Sequence, residues 1–186
     1  GPDSKGVIDF IIKLKKQHFQ VICIRGNHEE MMLRGGLDPI AAAGWKRHGG
    51  IKTLESFNAA SLEEVPDEYF QFMRKLPMYH LLDDYILVHA GINFNVDDPL
   101  SDSQSMMWMR PWDVRVNHDW LNGRVILHGH TPVDRNVIEY QVANAADTGL
   151  IDLDNGCFRI EEPGKGSLCA LDLDTRDLFF CSNLDL

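Results

Sequence analysis

The chain has no apolar run approaching the roughly 18 to 20 consecutive residues that span a bilayer. Its first residues also lack the basic, apolar, small-residue order of a secretory leader. Neither a membrane span nor a membrane partner is therefore expected. Positive charge is scarce, with 18 Lys and Arg against 28 Asp and Glu in 186 residues, a formal net charge of -10. A nucleic-acid or anionic-lipid binder needs the opposite balance, because its affinity comes largely from cations laid against phosphates. Cysteine is sparse as well. Cys23, Cys157, Cys169 and Cys181 form no CxxC pair, and a chain of this size needs no disulfide staples, so they read as reduced thiols in a cytoplasmic protein. No internal repeat or low-complexity tract is present.

What is present suffices for a core. A hydrophobic content of 44% over 186 residues suits one domain of ordinary size, residues 1–186. Asp3 and Ser4 can cap a helix whose Val7, Ile8, Phe10, Ile11, Ile12 and Leu14 suit a buried crossover helix, with Lys13, Lys15 and Lys16 favouring its C-terminal dipole. The apolar run Val21 to Ile24 predicts a strand that ends at Arg25-Gly26-Asn27-His28-Glu29 before a helix. Residues 37–76 read as a helical insertion, with an apolar stripe of Tyr69, Phe70, Phe72, Met73 and Leu76. Tyr79 to Leu82 and Tyr85 to Val88 predict a hairpin across Asp83-Asp84. The second of these strands leads into His89-Ala90-Gly91.

Residues 93–104 are rich in Asp, Asn and Ser and read as a loop. Its acidic residues lack the glycine and closing glutamate of a calcium hand. Arg124 to Leu127 predicts a further strand, leading into His128-Gly129-His130-Thr131-Pro132. Short strands are expected around Val137, over 158–160, over 168–173 and over 178–181. The pattern predicts an α/β sandwich with an antiparallel C-terminal part.

Three predicted strands thus end in ligand-type side chains beside glycine: Asn27 with His28, then His89, then His130. Ligands collect at the carboxyl edge of open α/β sheets. Imidazole nitrogens and an amide oxygen suit manganese, iron or zinc better than calcium, which prefers oxygen ligands throughout. His18, His48, His80 and His118 have no such context. Trp45, Trp108, Trp112 and Trp120 read as packing aromatics rather than cleft walls. Glu29 and Glu30 are of a type that can assist catalysis, and the dipole of a first helical turn explains them equally well.

The motifs GNHE at 26–29, HAG at 89–91 and GHTP at 129–132 follow the order found in the calcineurin-like metallophosphoesterases, which the chain resembles over almost its whole length. RGNHE and GHTP look most like the bacterial and phage phosphoprotein phosphatases and the symmetrical diadenosine tetraphosphate hydrolases. That resemblance implies a sandwich of mixed β-sheets flanked by helices. It also implies two divalent metal ions, with Asn27, His89 and His130 as ligands of one, and attack on phosphorus by a hydroxide bridging the pair. His28 would be the general acid and Arg110 the phosphate clamp, with Arg47 and Arg25 weaker candidates for the clamp. Asp147, in Asp147-Thr148-Gly149, would orient a ligating imidazole from behind. His128 is not expected to touch metal.

The implied substrates are phosphorylated proteins, at serine, threonine or tyrosine, or small phosphomonoesters. Diadenosine tetraphosphate is the alternative, and a catalytically inactive phosphate- or partner-binding fragment is the alternative of another class. The family's GDxHG and GDxxDRG motifs do not occur in these residues, although Gly1-Pro2-Asp3-Ser4 looks like the continuation of the second. With them go a β-α-β portion, the other metal's ligands and the aspartate that would orient His28. The expectation that follows is an unpaired sheet edge and loss of activity.

Overall fold

A computed structural model of the chain describes residues 1–110 and 115–185. The described chain forms two compact units, Gly1–Pro77 and Met78–Leu184. The first is helical. Helix α1 (Ser4–Lys16) starts where the Asp3 carboxylate accepts the Gly6 N–H at 2.8 Å and ends on Lys13, Lys15 and Lys16, each favouring its terminus of the dipole. Helix α2 (Asn27–Gly35) is followed by α3 (Pro39–Trp45) and α4 (Ile51–Ser56), with a kink between the last two at His48 and Gly49. Helix α5 (Asp67–Arg74) closes the unit. Its core is Met32, Trp45, Leu54, Leu62, Val65, Tyr69, Phe70 and Met73. The helical reading of 37–76 therefore holds, and these helices belong to a unit that begins at Gly1.

Two expectations for this unit fail. Helix α1 forms but is not buried: Ile8 packs on the core, whereas Val7 and Phe10 are 61% and 59% exposed. Residues 21–24 are not a strand. A strand is stabilised by its ladder partner, and among the described residues none pairs with this run; the Arg25 N–H bonds instead to the Pro77 carbonyl at 2.8 Å.

The second unit carries the sheet. Its strands β1 (Tyr79–Leu81), β2 (Tyr85–Val88), β3 (Val125–His128) and β4 (Leu150–Asp152) lie in that order, β1 antiparallel to β2 and the other neighbours parallel. Alternation along the strands feeds two cores. Tyr85, Val125, Leu127 and Ile151 face one layer, while Ile86, Val88 and Ile126 face the other. Both layers are covered, as parallel strands require. Helix α6 (Ser103–Trp108) supplies Met106, and α7 (His118–Leu121) supplies Leu121, to the second layer.

Helix α8 (Arg135–Ala143) supplies Ile138 and Val142, and α9 (Ala145–Thr148) supplies Ala145, to the first. A ribbon of β5 (Ser167–Leu171) and β6 (Leu178–Ser182) adds Cys169, Leu171, Leu178 and Phe180 there. This mixed α/β architecture is that of a calcineurin-like fold, and the antiparallel ribbon matches the expected tail. The strand expected around Val137 is instead α8, because Ile138 and Val142, four residues apart, share one helical face and both are buried. Phe158 to Ile160 is a turn with Phe158 exposed. Among the described residues, no helix is long and apolar enough to cross a membrane.

Candidate functional site

Because β2, β3 and β4 run parallel, their carboxyl ends share one edge of the sheet. Three loops leave it: His89-Ala90-Gly91, Gly129-His130-Thr131 and Leu153-Asp154-Asn155. They are knitted by backbone bonds, Gly129 N–H to the His89 carbonyl at 2.9 Å, Leu153 N–H to His128 at 2.7 Å and Val133 N–H to Asp154 at 2.8 Å. The result brings His89 Nε2 to 3.1 Å from His130 Nδ1, with the rings edge to face. His130 adopts φ +75°, a backbone state that disfavours a side chain with a Cβ and costs on the order of 1–3 kcal/mol. The same left-handed backbone occurs at His18, Asn58, Asn122 and Arg176, so the convergence of the two imidazoles, not the φ angle, distinguishes this position.

The pair fits a divalent transition metal. Two nitrogens each about 2.0–2.1 Å from a common ion stand roughly 3 Å apart, the spacing observed. His89 and His130 would thus furnish two adjacent ligands. Among the described residues, no cluster of three or more His, Cys, Asp or Glu is placed to hold a metal.

Arg110 stands beside this pair. Its Nη1 donates to the Thr131 hydroxyl at 3.1 Å, which puts the guanidinium on the loop carrying His130. Trp108 also meets His130 edge to face, with centroids 6.4 Å apart. Trp112, expected among the packing aromatics, lies outside the described residues.

In the first unit, Asn27 opens α2 and is buried, while the next residue, His28, is exposed. The turn that presents them is well braced. Glu29 accepts the Gly26 N–H at 2.9 Å, and Glu30 accepts from Arg34 at 2.8 Å and from Arg25 at 3.4 Å. Arg25 also donates to the Arg74 carbonyl at 2.6 Å. Glu29, Glu30 and Arg25 therefore serve the turn itself. Arg47 is exposed in the kink before α4.

Asp147 is not brought to the histidine pair. It sits exposed in α9, ahead of β4, at the amino edge of the parallel strands. The carboxylates at the other end of β4 are Asp152 and Asp154, which sequence reasoning passed over although Asp154-Asn155-Gly156 has the same acid-polar-glycine character. Asp154 Oδ1 accepts the Gly156 N–H at 2.8 Å, and Asp152 Oδ1 accepts the Asp154 N–H at 2.9 Å.

Asp152 is 1% exposed and lies opposite His128 in the register. Its Oδ2 is 3.8 Å from His128 Nδ1, too far for a hydrogen bond. Burial pushes the Asp152 carboxyl up to about 7 and pushes the His128 imidazole down. Desolvation outweighs attraction here, and each group favours its neutral form. His128 thus packs behind the site rather than opening onto it.

A sequence model of the calcineurin-like phosphoesterases matches residues 1–156. No curated protein and no solved structure matches significantly. The matched span takes in GNHE, HAG, GHTP and the whole parallel sheet; the chain belongs to the calcineurin-like phosphoesterase family.

Proposed function

We propose that the fold these residues build serves phosphomonoester hydrolysis when the other metal's ligands are supplied to it, and that its substrates are phosphorylated proteins in the cytoplasm, at serine, threonine or tyrosine. The observation that carries this reading is the 3.1 Å approach of His89 Nε2 to His130 Nδ1 at the carboxyl edge of the parallel strands. His89 and His130 would hold a divalent cation, manganese in this reading, with iron or zinc also compatible with imidazole donors, and the GNHE motif offers Asn27 as a further ligand. When bound, divalent ions withdraw charge from phosphoryl oxygens and supply a nucleophilic water near neutral pH.

The remaining tasks fall to side chains. Arg110 clamps two phosphate oxygens with its planar fork and balances the charge that develops on them. Thr131 fixes the guanidinium for that task. His28, exposed at the first turn of α2, gives a proton to the departing oxygen. A single displacement then suffices, with no phosphorylated enzyme.

Turnover of a phosphoserine peptide and of diadenosine tetraphosphate, each with manganese, tests the reading. The peptide is expected to be the better substrate by kcat/KM. Efficient cleavage of the dinucleotide alone would make the chain a nucleotidase. Peptide binding with no turnover of either would make it a binding module.

A further inference from the structure

Beside the histidine pair, the second unit holds an open groove of about 430 Å³ lined by Asn93, Asn95, Gln104, Ser105, Trp108 and Met109. It is built onto the candidate site. The Ala90 N–H, next to His89, bonds to the Met106 carbonyl of α6 at 2.7 Å. Met109 Sδ lies 3.0 Å from where a Gly91 Cβ would stand, so glycine there lets the His89 loop close on the groove. At the other side, Trp108 meets His130. A phosphoester whose phosphate lies at His89 and His130 therefore has its alcohol portion beside this groove.

The lining discriminates by charge. Among the described residues it contains no Lys, Arg or His, so it offers little to further phosphates and suits an uncharged group. Part of it is fixed: Asp102 accepts from Asn93 Nδ2 at 3.0 Å and from Ser105 Oγ at 2.7 Å. Asn95 and Gln104 are exposed, and each side-chain amide offers one acceptor and two donors. An extended polypeptide presents just such neutral amides and carbonyls. A nucleobase is better served by a slot between two ring faces, and Trp108 is the sole aromatic in the described lining.

Resting on the phosphatase reading above, we infer that this groove receives the polypeptide segment flanking the phosphorylated side chain. Trp108 covers the carbon stem of that side chain, and Asn95 and Gln104 pair with the peptide main chain. They are specificity residues.

The test compares the wild type with the double variant N95A/Q104A, using manganese, a phosphoserine peptide, diadenosine tetraphosphate and p-nitrophenyl phosphate. The ratio of kcat/KM for peptide to that for the small ester is expected to fall about tenfold, the loss of two modest hydrogen bonds. Calorimetric titration with the same peptide carrying a non-hydrolysable phosphonate should show a matching rise in Kd. An unchanged ratio and unchanged Kd in a wild type that does turn over the peptide overturn the groove alone. A wild type with no peptide turnover overturns the phosphatase reading and the groove with it. A loss confined to diadenosine tetraphosphate reassigns the groove to a nucleoside.

Discussion

Arg110 Nη1 donates to the Thr131 hydroxyl at 3.1 Å, which joins the segment after α6 to the loop that carries His130. If the guanidinium clamps phosphate, R110A should lower kcat on p-nitrophenyl phosphate by roughly 10²-fold, the usual loss of one preorganised donor to a developing oxyanion. R110K should recover little, since an ammonium cannot form the two parallel bonds of the fork. T131V keeps the guanidinium and removes its anchor, so it should cost far less. Equal losses in R110A and T131V, measured by steady-state kinetics, would assign Arg110 to holding the loop alone.

His89 and His130 make a prediction that does not depend on turnover. Replacing either with Ala removes one of two adjacent ligands, and manganese affinity should fall by at least about 100-fold, beyond the range typical of groups that merely orient ligands. Chelation should abolish wild-type hydrolysis and added manganese restore it. Calorimetry or manganese paramagnetic resonance reads the affinity directly. Unaltered manganese binding in both variants would remove the pair from the metal site.

Asp152 gives stability a pH dependence of known sign. Burial raises this carboxyl from 3.8 to about 7, so the folded chain holds a proton that the unfolded chain releases. Its contribution is fully present below about pH 4 and is lost as pH rises through about 7, a swing of roughly 4 kcal/mol. D152N keeps the shape without the charge and should gain on the wild type across that window, then hold the gain above it. His128 has the opposite dependence, since its depressed value withdraws stability as pH falls below 6.5, and because it lies 3.8 Å from Asp152 the two titrations are coupled, so the D152N comparison is also made in an H128Q background. Urea unfolding at about pH 4, 6 and 8 measures the comparison. A wild type that gained on D152N with rising pH would falsify the assignment.

The sequence made legible the features whose causes are local. The motifs GNHE, HAG and GHTP are contiguous, and β2 and β3 announce themselves as apolar runs that end in them. The ribbon β5–β6 was legible for the same reason. Three readings needed information that local pattern does not hold. Val137 sits in a β-branched setting, yet the pairing of Ile138 with Val142 across one helical turn decided the outcome. The run 21–24 has strand composition, but composition does not supply a ladder partner. Asp147 and Asp154 have similar neighbours in sequence, and only the parallel register of β3 with β4 puts one at the amino edge and the other beside the histidines.

Asn155 tests how firmly that edge is built. It is 2% exposed, and its Nδ2 donates to the Val133 carbonyl at 3.1 Å and to the Gly164 carbonyl at 2.8 Å, while its Oδ1 accepts the Ser167 N–H at 3.2 Å. One side chain thus satisfies three backbone groups and joins the loop after His130 to the start of β5. N155A strands all three, and the expected loss is about 3 kcal/mol. N155D has nearly the same shape but turns a carboxylate toward two carbonyls that need a donor, so it should be at least as destabilising. Urea unfolding of the two variants measures this. An N155D chain as stable as the wild type would mean that the site is held by shape, because its hydrogen bonds would then contribute nothing.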